Sequence, residues 1–256
     1  MMKIKPLADG HFYFASESVT EGHPDKLCDQ VSDSILDACL AQDKKAYVAC
    51  ECVAKANTIM IAGELTTTAV IDMEKIVRNR IQEIGYDSVE KGLDYKTCEI
   101  ILRVNKQHPE IAGCVHEGKE ESDFGAGDQG HMFGYATDET EELFPLSHSL
   151  ALKLSEKLMT TRKNGTLKWL RPDGKTQITV EYKKEGVNII PLRVQNVLIS
   201  AQHNPDVTNE QIREDLIKHV INTVIDPKLI DANTEIFINP SGSFVSGGPE
   251  NDAGLT

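Results

Sequence analysis

Ser16-Glu-Ser-Val-Thr-Glu-Gly-His-Pro-Asp-Lys26 ends where an amphipathic helix begins. Pro24 suits the first helical turn, because the N–H that proline lacks would find no partner there. That places His23 at the N-cap and Asp25 inside the first turn. Free N–H groups and the positive end of the helix dipole meet at this point and make an anion site. An Asp there can hold Mg²⁺, and Mg²⁺ can in turn hold phosphate oxygens. Taken alone, His-Pro-Asp is better read as an ordinary capped helix with a stray histidine. The surrounding chain reverses that preference.

Working outward, Leu27, Val31, Ile35 and Leu36 form one apolar stripe at helical spacing over 25–41. Residues 46–54 and 58–65 read as two strands around Asn57, a hairpin. Ile71, Ile76, Val77, Ile81 and Ile84 give a second helix, closed by Gly85, and Glu99 to Val104 reads as a buried strand. The polar, Gly-containing stretch 105–129 is a loop, and one of that length is functional or mobile. The pattern then restarts. Leu150, Leu154 and Leu158 mark a helix, Gln177 to Tyr182 a strand, and Val187 to Ile199 another, broken by Pro191. Thr208-Asn-Glu-Gln211 is a capping box opening a helix through Ile212, Leu216, Val220 and Val224; Glu235 to Ile238 is a short strand. Both halves read helix, strand, strand, helix, strand. That predicts two similar α+β units joined near 105–125. Asn239-Pro-Ser-Gly-Ser-Phe-Val-Ser-Gly-Gly-Pro is turn-rich, and nothing after Ile238 can bury a third core. Either this tail packs on the first two units or the chain is incomplete.

The 256 residues suffice for one large domain or two ordinary ones. A content of 40% hydrophobic and 26% charged residues is a globular balance. Net charge is -13 and no basic stripe is visible, which argues against a nucleic-acid partner. No apolar run approaches the roughly 20 residues that span a bilayer, and the N-terminus lacks the apolar core of a signal peptide. Six Cys scattered through 28–114 are no disulfide framework and fit a reducing cytoplasm. Cys50 and Cys52 share one face of a strand and are better read as buried thiols than as metal ligands.

Several residues invite chemistry, each beside a plainer reading. Glu51 and Glu64 lie within strands, where a carboxylate needs a partner or the solvent face; alone, both read as structural. Phe124-Gly-Ala-Gly-Asp128-Gln-Gly130 permits close backbone approach to a ligand, yet it is neither a Walker loop nor a GxGxxG turn. The plainer reading is a tight turn. Leu170-Arg-Pro-Asp173-Gly-Lys175 puts Arg171, Asp173 and Lys175 on one turn before a strand, an ordinary hairpin signal in which the lysine is also a plausible phosphate contact. GxSxG and HExxH are absent from the sequence, and thiol nucleophile chemistry is unsupported.

Together these segments resemble S-adenosylmethionine synthetase (methionine adenosyltransferase). The resemblance rests on Ser16 to Lys26, on Gly125-Ala-Gly-Asp-Gln-Gly130 with Met132-Phe-Gly-Tyr-Ala136, and on Arg162-Lys-Asn-Gly-Thr166 leading to Trp169-Leu-Arg-Pro-Asp173. It ends with Ile238-Asn-Pro-Ser-Gly and Phe244-Val-Ser-Gly-Gly-Pro, so it runs from about Phe12 to Thr256. It implies an α+β fold of three similar domains in pseudo-threefold arrangement. They are expected here as an N-terminal domain over 12–110, a mobile active-site loop over 111–127, a central domain over 128–235, and at 236–256 only the start of the C-terminal domain. It implies ATP and L-methionine as substrates, Mg²⁺ and K⁺ as cofactors, and active sites shared across a homodimer, or a homotetramer, in the cytoplasm. Methionine sulfur would attack the ribose C5′ and expel tripolyphosphate, which is then hydrolysed to pyrophosphate and phosphate.

Carried over by position, His23 resembles the family's triphosphate-contacting histidine and aid to the leaving group, and Lys175 a catalytic phosphate contact. Asp25 matches a Mg²⁺ ligand and Glu51 the K⁺-site carboxylate. Glu64 and Gln107 match the methionine-binding pair, with Gln107 opening the mobile loop. Asp128 matches an aspartate on the ribose and methionine side, Asp173 a nucleotide contact, Phe244 the residue stacking on adenine, and Asp252 a contact near both substrates. Ser243, in the same ATP-binding segment, stands where the family usually has Arg, and Asn251 where it usually has Gly. The family continues after Gly-Leu-Thr with Gly-Arg-Lys and a Gly-rich loop bearing further lysines and an Asp. Two readings of another class stand beside the transferase. One is a non-catalytic ATP-binding or dimerisation fragment; the other is a Mg²⁺-dependent polyphosphate hydrolase, in which Glu64 and Gln107 would have no purpose.

Overall fold

The computed structural model describes residues 7–108 and 118–256. In chain order the elements are β1 (His11–Val19), α1 (Pro24–Leu40), β2 (Tyr47–Lys55), β3 (Thr58–Thr66), α2 (Met73–Ile84), β4 (Asp87–Ser88), β5 (Leu93–Asp94) and β6 (Glu99–Lys106). After the described segment resumes come α3 (Leu146–Lys163), β7 (Leu170–Glu185), β8 (Asn188–His203), α4 (Asn209–Leu216), β9 (Glu235–Ile238) and β10 (Gly254–Leu255). The chain is α+β, and its two units have the same order.

The sheets show why. In the first, β2 and β3 form an antiparallel hairpin, β6 runs parallel to β3, and β10 adds antiparallel to β2. In the second, β7 and β8 form the hairpin, β9 runs parallel to β8, and β1 adds antiparallel to β7. The topologies match, but each sheet takes its outer strand from the far end of the chain. Strand β1 therefore belongs to the second sheet while the helix following it belongs to the first unit.

Each unit packs its helices on one sheet face. Leu27, Val31 and Ile35 of α1 and Val77, Ile81 and Ile84 of α2 are buried against Ile59 and Ile61. Cys28 and Cys39 complete the α1 stripe, and Leu36 is only half-buried. In the second unit Leu150, Leu154 and Leu158 of α3 and Ile212 and Leu216 of α4 cover Ile178, Val180, Val197 and Ile199. Phe12 of β1 stacks on Tyr182 at 5.5 Å. Ser16 and Ser18 pair with Ser147 and Ser155 of α3 at 2.9 Å each.

The structure corrects four local expectations. Pro191 does not break β8: the register shifts around it, and a bulge is where a missing N–H is tolerated. The Pro-Asp-Gly of 172–174 is no hairpin turn but an irregularity near the start of β7, which leaves 171–173 unpaired between Leu170 and Gly174. The capping box is half-formed: Thr208 accepts the Gln211 amide at 3.2 Å, while the Gln211 side chain reaches forward to Asp215. Strand β6 is an edge strand with mostly half-exposed or exposed residues rather than a buried one. The expected mobile loop falls partly outside the described residues.

Five described cysteines are free thiols. The Cys28 thiol and burial hold Cys52 protonated, and burial pushes Cys50 up to about 11, so neither has thiolate character. Among the described residues no helix is long and apolar enough to cross a membrane.

Asp43 ties the turn after α1 to the turn after β3. Its carboxylate accepts the Thr68 amide at 2.8 Å, the Lys45 amide at 3.0 Å and the Thr67 hydroxyl at 3.0 Å. These bonds, the Thr68 amide first, hold its carboxyl below the ordinary 3.8. A depressed carboxylate stabilises the fold above its unfolded value, and that stability is lost as pH falls through the folded value. Asp43→Asn should therefore lower Tm near neutral pH, and the deficit should narrow below about pH 3.8; thermal melts across pH check this.

Candidate active site

Residues 20–23 carry the chain from β1 in the second sheet to α1 over the first. Almost every residue of this link is held. Thr20 donates its amide to Gly174 O at 2.9 Å and its hydroxyl to Pro172 O at 2.7 Å. Glu21 receives Arg162 at 2.5 Å and Lys163 at 2.7 Å. The Gly22 carbonyl accepts the Tyr86 hydroxyl, and a Cβ on Gly22 would run into Pro172, so only glycine fits.

His23 is then the N-cap of α1 with extended backbone, and Pro24 opens the helix. Its Nδ1 accepts the Asp25 amide at 3.3 Å. In the neutral ring this acceptor role assigns the proton to Nε2. Nε2 stands 3.8 Å from an Asp252 carboxylate oxygen. The ring is 14% exposed, so it is walled in but reachable.

The Asp25 carboxylate accepts the Leu255 amide at 3.1 Å through one oxygen; its other oxygen lies 3.8 Å from His23 Nδ1. Asp173 is buried and accepts the Gly248 amide at 2.7 Å. Burial pushes its carboxyl up from the usual range; the Gly248 bond and then the His23 ring draw it back, and the Asp252 charge adds to the rise. His23, Asp25, Asp173 and Asp252 thus form one cluster where α1, β7 and the 239–253 loop meet.

That loop is anchored to β8. Asn239 continues the sheet, accepting the Ala201 amide at 2.8 Å. Phe244 exchanges both backbone groups with buried His203: its amide donates to Nε2 at 3.0 Å, and its carbonyl accepts the His203 amide at 3.0 Å. Arg171 and Gln202 both donate to Val245 O, at 2.8 and 3.1 Å, and reach Glu90 O and Lys91 O in the first unit. Asn251 closes the loop on itself, its carboxamide exchanging bonds with Ser246 at 2.7 Å each. Glycine at that position could not do this. Ser243 is exposed.

Other expected residues stand apart from the cluster to differing degrees. Glu51 lies on the open face of β2, opposite in sense to Cys52, and accepts the Thr256 hydroxyl at 2.7 Å; Thr256 follows Leu255, so Glu51 adjoins the cluster through β10. Glu64 is exposed on that same face, diagonal to Glu51 in the register. Gln107 follows β6, its amide on Leu65 O at 3.4 Å. Lys175 is partly exposed two residues beyond Asp173 and pairs with Glu17 at 3.4 Å. Asp128 lies in an exposed stretch, where it accepts the next amide at 2.7 Å; among the described residues no contact joins it to His23.

Tyr86, Arg162, Gln202 and His203 escaped the sequence reading as site residues. Gly85 marked a helix end, but nothing in the spacing told that the next side chain would cross to residue 22. Arg162 lies in the Arg162–Thr166 segment at the end of α3, and spacing alone does not point it at Glu21.

Two family models cover most of the chain. The N-terminal domain of S-adenosylmethionine synthetase matches residues 11–109, and the central domain matches residues 123–244. Their order along the chain is that of the two α+β units. The chain belongs to the S-adenosylmethionine synthetase family.

Proposed function

We propose that this chain carries the machinery of a methionine adenosyltransferase, which joins ATP and L-methionine into S-adenosylmethionine and releases pyrophosphate and phosphate. The observation that carries the reading is His23: its cap bond to the Asp25 amide leaves an Nε2–H donor at the positive end of α1.

The physical argument follows the charge. Methionine sulfur is a neutral nucleophile and needs no base. As the S–C5′ bond forms, the C5′–O5′ bond breaks and its electron pair leaves with the triphosphate. The barrier lies in that developing negative charge, and fixed donors aimed at it stabilise the transition state most. His23 Nε2–H is such a donor, the first-turn N–H groups of α1 are others, and Lys175, released from Glu17, adds a cation. Phe244 presents a half-buried ring on which adenine stacks, with Asp173 and Asp252 beside the nucleotide. Ser243 is neutral and offers no counterpart to the charge of an arginine there. Glu64, Gln107 and Asp128 are assigned to methionine, with Asp252.

Mg²⁺ is held by one or two carboxylates together with substrate phosphates, not by an all-protein cage. Asp25 fits that pattern, having one oxygen tied to Leu255 and the other without such a bond. Among the described residues no group of three or more His, Cys, Asp or Glu is placed to hold a metal ion. K⁺ is assigned to Glu51, whose carboxylate and the Thr256 hydroxyl are hard oxygens. When bound, the cations neutralise phosphate charge. The working form is read as a homodimer with shared sites, or a homotetramer, in the cytoplasm, with units divided at 12–110, 111–127, 128–235 and 236–256.

One observation favours the second reading, a non-catalytic ATP-binding or dimerisation module. The cluster gathers three carboxylates around a single histidine, and Lys175 is already paired.

Incubation with ATP, L-methionine, Mg²⁺ and K⁺, read by mass spectrometry, should show S-adenosylmethionine, and His23→Ala should lower its rate by about 100-fold or more. ATP retained without product supports the binding module instead. Asp25→Asn should raise the Mg²⁺ concentration at half-maximal rate by about tenfold, equivalent to roughly 1.4 kcal/mol; a Mg²⁺ titration checks it.

A further inference from the structure

We propose that the Tyr86 hydroxyl is a positioning group for His23, locking together the two loops whose side chains face each other across the cluster. The inference rests on the reading of His23 as the leaving-group donor.

Tyr86 is fully buried and follows the left-handed Gly85 that ends α2. A buried phenol must find a partner, and this one leaves the first unit's core to donate to the Gly22 carbonyl. Pro172 fills the space where a side chain on Gly22 would stand. The residue next to Gly22 is His23. On its other flank the same hydroxyl abuts Gly248, whose φ of +62° and lack of a side chain let the loop come this close; a Cβ there would collide with the phenol oxygen. The Gly248 amide is fixed on Asp173 at 2.7 Å, and four residues on stands Asp252, 3.8 Å from His23 Nε2. One oxygen atom therefore touches both loops. Burial and the Asp173 charge keep the phenol protonated, so it is a permanent donor.

Tyr86→Phe deletes that oxygen and keeps the ring in the core. The first readout needs no turnover: the imidazole signals of His23 in the ligand-free chain by NMR, identified by their loss in His23→Ala. In Tyr86→Phe they should shift or broaden; unchanged signals overturn the proposal. The second is product formation, which should fall between about 10- and 100-fold with the KM for methionine unchanged. In a His23→Ala background the same change should cost less than about twofold, because the hydroxyl acts through His23. Equal losses in both backgrounds overturn the proposal in favour of a merely structural role. If the wild-type chain forms no product, the transferase reading fails, and the His23 signals still decide the role of Tyr86. If Tyr86→Phe does not fold, replacing tyrosine by 3-fluorotyrosine alters the donor without removing it, and the same His23 signals must move.

Discussion

A strand paired in one sheet and a helix packed on another are joined by four residues, 20–23, and this link cannot move without disturbing both units. Residue 19 is the last of β1, fixed opposite Lys175 in the second sheet. Pro24 is the first of α1, whose Leu27 is fully buried in the first core. Between these anchors the backbone is held by Gly174 and Tyr86, and the Thr20 and Glu21 side chains by Pro172, Arg162 and Lys163. The position of His23 is a consequence of that span rather than a choice of its own rotamer.

The same exchange of strands runs the other way at the end of the chain. Gly254–Leu255 pairs with β2, and the Leu255 amide lies on Asp25. The N-terminal strand thus completes the second sheet, the C-terminal strand completes the first, and the two crossings meet at the start of α1. Buried polar groups hold this junction. Arg171 and Gln202 bring the turn at 89–91 and the loop at 239–253 to one place through four carbonyl contacts. Such groups need every partner in low dielectric, which makes the junction a rigid support for the cluster.

Most of the architecture was legible because it depends on local signals. The stripe of α1, the N-cap at His23, the Gly85 stop and the order of elements in both units follow from spacing and capping. What was not legible is long-range pairing. Alternation shows that β1 is a strand but not which sheet it joins. Pro191 and Pro172 each signalled a break, whereas bulges absorbed them. In the site, His23 and Asp25 were readable from one peptide, and Asp252 and Asp173 from resemblance. The grip by Tyr86 and Arg162 was not, because a buried tyrosine near a helix end looks the same whether it bonds within its own unit or across to another.

The central claim is that the link at 20–23 is held as part of the second unit's fold. Residue-resolved amide hydrogen exchange with increasing denaturant tests it most directly. The amides of Thr20 and His23, bonded to Gly174 O and Thr20 O at 2.9 and 3.0 Å, should exchange through the same opening as those of β7 and β8, with matching denaturant dependence. Exchange at the rate of a frayed surface loop, independent of denaturant while β7 and β8 stay protected, would contradict the account.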